Sequence, residues 1–143
     1  MIITIDTSVT VAALRSPLGA SAEIIRLVLR GKIKAAASVP LFIEYEAVLL
    51  RPAHLKAAGV SAKAVNNLLD VLAGVAIPVE VFYLWRPQLK DADDEMVLEA
   101  AVNGQANVIV TFNVSDFLPA AKKFAIRVLT PAEFLKELRD GHY

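Results

Sequence analysis

The sequence contains no cysteine. Disulfides and thiolate zinc sites are therefore excluded, and nothing in the chain requires an oxidising compartment. Histidine is scarce: the only two are His54 and His142. One is expected in a loop between helices and the other beside the C-terminus, both as surface residues rather than ligands. Net charge is absent as well, since 15 basic residues balance 15 acidic ones. The chain lacks the global field that non-specific DNA binders use, and any nucleic-acid contact needs a local patch. Long apolar runs are missing too. Charges, glycine or proline interrupt every candidate before the roughly 18 residues that a membrane span requires. No internal repeat, low-complexity tract or linker divides the chain.

What is abundant is apolar material, 56 % of 143 residues. The length suits one domain, residues 1–143, able to bury a core of its own. Two accounts of the surplus stand side by side: a parallel sheet covered on both faces, and an apolar interface to a second copy or a partner. The opening MIITIDTS reads as a strand rather than a cleavable leader, so a cytoplasmic, membrane-free protein is expected.

Apolar runs at residues 2–5, 33–37, 76–82, 107–111 and 126–129 read as five strands. Between them lie helical patterns. Residues 21–30 carry Ile24, Leu27 and Val28 on one face, with Ser21 as cap and Gly31 as stop. Residues 39–50 follow Ser38 and Pro40, place Leu41, Tyr45, Val48 and Leu49 together, and end before Pro52. Residues 61–73 are expected to stop at Gly74, and 94–102 at Asn103 and Gly104. Thr130, Pro131 and Glu133 form a capping box that opens a last helix through Arg139. Strands alternating with helices predict an α/β fold around a central, mainly parallel sheet of about five strands.

In such sheets ligands bind beyond the carboxyl ends of the strands. Four acids come out on that edge: Asp6 after the first strand, Glu44 in the helix after the second, Asp94 at the start of the helix after the third, and Asp116 after the fourth. Singly, Asp6, Asp94 and Asp116 are equally explained as helix caps, and Glu44 as a solvated helix residue. At about 100° per residue, Asp94 projects with Val97 and Leu98 while Glu95 and Glu99 point away, and Glu44 lies about 40° from Val48 at the margin of the apolar stripe. Asp91 and Asp93 are spare acids for the loop. A semi-buried cluster of carboxylates must hold protons or bind cations. Oxygen-only ligands without cysteine or placed histidine favour a hard ion, Mg²⁺ or Mn²⁺.

The segments IITIDTSV, FIEYEAVLLRP, DADDEMVLEAA and VIVTFNVSDFL, in this order and spacing, resemble the PIN-domain ribonucleases, specifically the VapC-like toxins of toxin–antitoxin pairs. The resemblance spans nearly the whole chain. It implies a three-layer α/β/α sandwich and metal-dependent RNA cleavage restrained by an antitoxin partner. It assigns Asp6, Glu44, Asp94 and Asp116 to the family's acidic positions, with Asp6, Asp94 and Asp116 as the main metal ligands, and Ser8 and Thr111 to its small hydroxyl positions. The chain departs from the pattern at Asn113, where many relatives carry aspartate. Asparagine still offers a carbonyl oxygen, but one charge fewer implies weaker binding of a second metal.

RNA phosphates near such acids require basic residues at the rim, for which Arg15, Arg51, Lys56, Arg86 and Lys90 are placed. A homodimer or higher oligomer is expected from the apolar surplus, with residues 21–30 and 39–50 presenting the self-association or antitoxin groove. Two other readings compete with the nuclease. One keeps the fold as a catalytically weak binding or regulatory module. The other is a phosphate-transfer enzyme with Asp6 as nucleophile, whose usual second aspartate is replaced here by Ser8.

Overall fold

The computed structural model describes residues 1–82 and 87–141. Arg86, part of the loop before Lys90, and His142 lie outside the described residues. The elements run β1 (Ile2–Ile5), α1 (Thr7–Arg15), α2 (Ala20–Leu29), β2 (Lys34–Ser38), α3 (Val39–Leu49), α4 (Pro52–Ala58), α5 (Ala62–Val75), β3 (Ile77–Val79), α6 (Ala92–Asn103), β4 (Val108–Val110), α7 (Val114–Lys122), β5 (Arg127–Leu129) and α8 (Pro131–Arg139).

All strand pairs are parallel, and the five-stranded sheet has the order β3-β2-β1-β4-β5. From β1 the chain steps outward through β2 to β3, then returns across the sheet to β4 and β5. Right-handed crossovers place α1 to α5 on one face and α6 with α7 on the other. Helix α8 comes back to the first face and packs on α2, while α6 covers β2, β1 and β4. This is the expected α/β/α arrangement, and it explains much of the apolar surplus. Ile3, Ile5, Val108, Ile109 and Val110 are all buried, because helices cover both faces of the central strands.

Gly104 sets how closely α6 approaches the sheet. A Cβ there would stand 2.7 Å from the Ala100 carbonyl oxygen, 2.9 Å from Val79 Cγ2 and 3.0 Å from Ala36 Cβ. Only glycine lets the end of α6 descend onto the small side chains of β2.

Several local expectations are corrected. Helix α2 starts two residues earlier than its cap assignment allowed: Gly19 occupies the N-cap, and Ser21 is a buried helix residue. Gly74 lies inside α5, which runs on to Val75. Pro52 does not merely end α3; it occupies the first turn of α4, where a missing amide costs nothing, and His54 is therefore helical and half-buried. After β4 the chain enters helix α7, which none of the helical patterns above included and which holds Pro119 inside it. The capping box is present as read: Thr130 Oγ1 accepts from Glu133 N at 3.2 Å, and Thr130 N donates to Glu133 Oε1 at 3.3 Å.

Candidate metal centre

In the order β3-β2-β1-β4-β5, the sheet's winding reverses between β1 and β4. Loops leaving those two strands diverge to opposite faces and open a crevice at their carboxyl ends. Asp6 stands there, directly after β1. It holds the N-cap position of α1 with φ −67° and ψ 148°, yet its side chain makes no cap bond. Instead Oδ2 accepts hydrogen bonds from Ser8 Oγ and Thr111 Oγ1, both at 2.7 Å. The capping explanation therefore fails for Asp6, which is only 4 % exposed.

The two hydroxyls are themselves fixed by the turn after β4. Thr111 Oγ1 accepts from Asn113 N at 2.9 Å, and Ser8 Oγ accepts from Phe112 N at 3.5 Å. Each hydroxyl thus relays a backbone donor to the carboxylate. None of the described hydrogen bonds reaches Asp6 Oδ1, which leaves that oxygen for a further partner. From α3, the Tyr45 hydroxyl donates to the Ile5 carbonyl oxygen. Burial, and then the charge of Asp6, push the Tyr45 phenol above its ordinary pKa, so it remains a neutral donor. The sequence marked Tyr45 only as part of an apolar stripe.

Asp94 and Asp116 occupy equivalent places. Asp91 is the N-cap of α6 and accepts from Asp93 N at 2.9 Å, which puts Asp94 at the third helical position with no capping duty. Asn113 is the N-cap of α7 without a side-chain bond, which puts Asp116 at the same position in its helix. Both acids lie in first turns, where the helix field favours negative charge. Asp94 is half-buried and Asp116 exposed. Together they line a cleft of about 380 Å³ whose walls include Gln88, Lys90, Ser115 and Pro119.

Asp6 is not part of that cleft lining, but its charge is felt inside it. The Asp94 carboxyl is pushed up to about 6, first by burial and then by repulsion from Asp6, Asp91, Asp116 and Asp93. Glu44 is half-buried on α3 beside Tyr45, whereas Glu46 is exposed, in line with their expected sides of that helix. Glu44 is not among the charges that raise Asp94. Asp6 and Asp116 thus both act on the charge of Asp94.

One reading of the helix wheel is overturned. Glu95 and Glu99 do not point away: they are 3 % and 6 % exposed. Glu95 Oε1 accepts from the amides of Gln88 and Leu89 at 2.7 and 2.9 Å. A periodicity argument ranks side chains by apolar neighbours and misses a carboxylate buried by backbone donors.

The donor set tests which ion fits. All the oxygens are carboxylate, hydroxyl or amide, which suits a hard cation. Among the described residues no group of three or more His, Asp or Glu side chains closes into a metal cage. Mg²⁺ does not need one, because it retains several waters and takes only one or two carboxylates. The open arrangement fits that mode.

Two apolar hollows lie on the helical face. One, of about 200 Å³, is lined by Ala13 and Leu14 of α1, Ile25 and Leu29 of α2, and Leu68 and Leu72 of α5. The other joins Phe42 and Ile43 of α3 to Ala73, Ala76 and Pro78, with Val39, Ile43, Val71 and Val75 exposed. Residues 21–30 and 39–50 meet in the first hollow, where Leu49 joins Ala22, Ile25 and Leu29, while Phe42 and Ile43 line the second. Among the described residues no helix is long and apolar enough to cross a membrane.

Comparison with known proteins agrees with this fold. No curated protein matches the chain. Among solved structures, VapBC-1 from nontypeable Haemophilus influenzae is similar with a TM-score of 0.62 and 16 % identity, covering 92 % of this chain and 99 % of that one. VapBC2 from Rickettsia felis, solved bound to a DNA fragment from their promoter, is similar with a TM-score of 0.59 and 16 % identity, covering 90 % of this chain and 97 % of that one. At such identity these two establish the fold alone. The sequence model of the PIN domain matches residues 3–115, a span holding Asp6, Glu44 and Asp94 but stopping just short of Asp116, and on that match the chain belongs to the PIN domain family.

Proposed function

We propose that the chain is a divalent-metal-dependent endoribonuclease and the toxin component of a toxin–antitoxin pair. The observation that carries this reading is the convergence of Asp94 and Asp116 in one cleft beside the fixed carboxylate of Asp6, where burial and then the neighbouring aspartates raise the Asp94 carboxyl and a proton or a cation relieves the repulsion. Similarity to VapBC structures supports the toxin role, and the match to the PIN domain supports the nuclease.

Asp6, Asp94 and Asp116 hold the ion, Mg²⁺ or Mn²⁺. When bound, the ion activates water and offsets charge on the scissile phosphate. The chain's own residues prepare for this. Ser8 and Thr111 fix Asp6 through Oδ2, so that Oδ1 is presented without a rotamer search. Burial, and then the charges of Asp6, Asp91, Asp116 and Asp93, raise the Asp94 carboxyl to about 6, so a proton and the ion compete for its oxygens. Glu44, beside the buried Tyr45, orients water or accepts a proton at the edge of the site. Asn113 supplies a neutral oxygen where a charge would strengthen a second ion. RNA is the substrate, and Arg15, Arg51, Lys56 and Lys90 are the cations available to its backbone.

The antitoxin occupies the hollow among α1, α2 and α5, and a second copy covers the exposed apolar side of α3 and α5. The whole chain acts as one domain in the cytoplasm.

Cleavage of structured RNA with Mg²⁺ or Mn²⁺, measured beside Asp6→Asn and Asp94→Asn, tests the reading. Metal-dependent cleavage lost in both variants is the expected result. Clean protein that does not cleave, or variants as active as the parent, would overturn it. The second reading, a catalytically weak binding module, is favoured by the lack of a closed carboxylate cage among the described residues, and clean protein that does not cleave would promote it.

A further inference from the structure

Residues 87–91, which lead into α6, form neither helix nor strand, yet they are tightly held. Glu95 sends a buried carboxylate back from the first turns of α6, and one oxygen accepts both the Gln88 amide at 2.7 Å and the Leu89 amide at 2.9 Å. From the other side of the cleft, Lys123 Nζ donates to Gln88 Oε1 at 3.0 Å. The next two residues are Lys90, an exposed cation on the cleft wall, and Asp91, the cap of α6. The loop therefore bridges α6 and the end of α7, the two helices that carry Asp94 and Asp116.

A carboxylate costs several kcal/mol to bury without compensation, on the order of the penalty for any desolvated ion, and two amide donors at these distances compensate it. A surface loop needs no such anchor merely to exist, because water satisfies exposed amides. The anchor makes sense if the position of the loop matters. Lys90 is the only basic residue lining the cleft among the described residues, and the other charged lining residues, Asp91, Asp94 and Asp116, are acidic. A polyanion entering it is repelled by those carboxylates and attracted by that ammonium.

We infer that Glu95 is a positioning residue, whose two amide bonds hold the 88–90 loop so that Lys90 meets the substrate's phosphate backbone at the mouth of the Asp94 and Asp116 cleft. The inference rests on the nuclease reading and assigns a role to a side chain that this reading leaves out. Glu95 itself touches neither ion nor RNA. Its effect passes through the backbone of Gln88 and Leu89, and so it falls on substrate binding rather than on the chemical step.

The test combines amide exchange with cleavage kinetics in the full chain, using Glu95→Ala, Glu95→Gln and Lys90→Ala. In the parent protein the Gln88 and Leu89 amides should exchange slowly. Glu95→Ala should speed both by at least about tenfold and raise KM for RNA by a similar factor while kcat changes less than about threefold. Glu95→Gln keeps an acceptor oxygen and should restore slow exchange and KM. Lys90→Ala should raise KM without altering exchange of the two amides. Slow exchange that survives Glu95→Ala, or fast exchange with an unchanged KM, overturns the inference. A Glu95→Ala chain that does not fold leaves Glu95→Gln and Lys90→Ala to decide, since an unchanged KM in Lys90→Ala sinks it alone. Failure of the nuclease reading is distinct: the parent then cleaves no RNA, while the exchange result still reports the anchor.

Discussion

The Thr111 hydroxyl donates to Asp6 Oδ2 at 2.7 Å across 105 positions of sequence. It ties the end of β4 to the end of β1, the neighbouring strands between which the sheet's winding reverses. Both groups are buried, so the bond is shielded from water and the carboxylate is fixed by the same turn that starts α7. The sheet's register and the geometry of the acid site are in this sense one constraint.

Removing that hydroxyl at nearly constant shape should show its weight. Thr111→Val strands the Asn113 amide and strips a donor from a buried carboxylate, so destabilisation of about 2–3 kcal/mol is expected. Thr4 provides the control within the same sheet. Its buried Oγ1 finds no hydrogen-bond partner, and Thr4→Val should be neutral or stabilising by up to about 1 kcal/mol. Urea unfolding of the two variants measures both, and a common sign would refute the assignment of Thr111 as a working donor.

Much of this is legible in the sequence. Asp6 at the end of an apolar run and the box of Thr130 and Glu133 depend only on neighbours in sequence. What escaped depends on distant backbone. Glu95 reads as solvent-facing on a helical wheel because the wheel does not contain the Gln88 and Leu89 amides that bury it. Helix α7 is not among the helical patterns read from the sequence; it holds Pro119 inside it, and packing of Phe117, Ala120 and Ala121 in the core sustains it. Proximity of Asp94 to Asp116 was expected only from their strand ends, and the cleft they share comes from helices meeting at their first turns.

The close approach of α6 to the sheet makes Gly104 hard to replace. Gly104→Ala would press a methyl against the Ala100 carbonyl and Val79, and overpacking against backbone should cost about 1–3 kcal/mol. Gly31→Ala meets nothing within 4 Å but sits at φ +72°, so its cost, about 1 kcal/mol, comes from backbone conformation alone. Thermal melts should rank Gly104→Ala below Gly31→Ala; the reverse order would mean that the end of α6 can lift off the sheet cheaply.

The pH response follows from Asp94. Its carboxyl is raised from 3.8 to about 6, so between those values the folded chain binds more protons than the unfolded one. That contribution favours the fold at low pH and is lost as pH rises through about 6. In metal-free protein, Asp94→Asn should therefore raise Tm at pH 7.5 and leave it unchanged near pH 4. Solvent screening of a half-exposed group limits the gain to about 1 kcal/mol, or about 2–4 °C. Mn²⁺ binding by the parent should weaken as pH falls through about 6, because protons then compete for the same oxygens. A pH-independent affinity would remove Asp94 from the ligand set.

Asn113 allows the metal reading to be separated from simple helix capping. It is exposed and holds the N-cap of α7 without a side-chain bond, while its amide already serves Thr111. Asn113→Asp adds a charge at the turn that carries Asp116. If the turn faces a cation, the new carboxylate should lower Tm without metal, by adding to the repulsion on Asp94, and raise it with Mn²⁺ beyond the parent's shift. About a tenfold tighter Mn²⁺ affinity would correspond to about 1.4 kcal/mol of extra stabilisation under saturating metal. If aspartate merely caps α7 and favours its dipole, Tm should rise by the same amount in both conditions. The two accounts predict opposite signs in metal-free protein, so a single pair of melts distinguishes them.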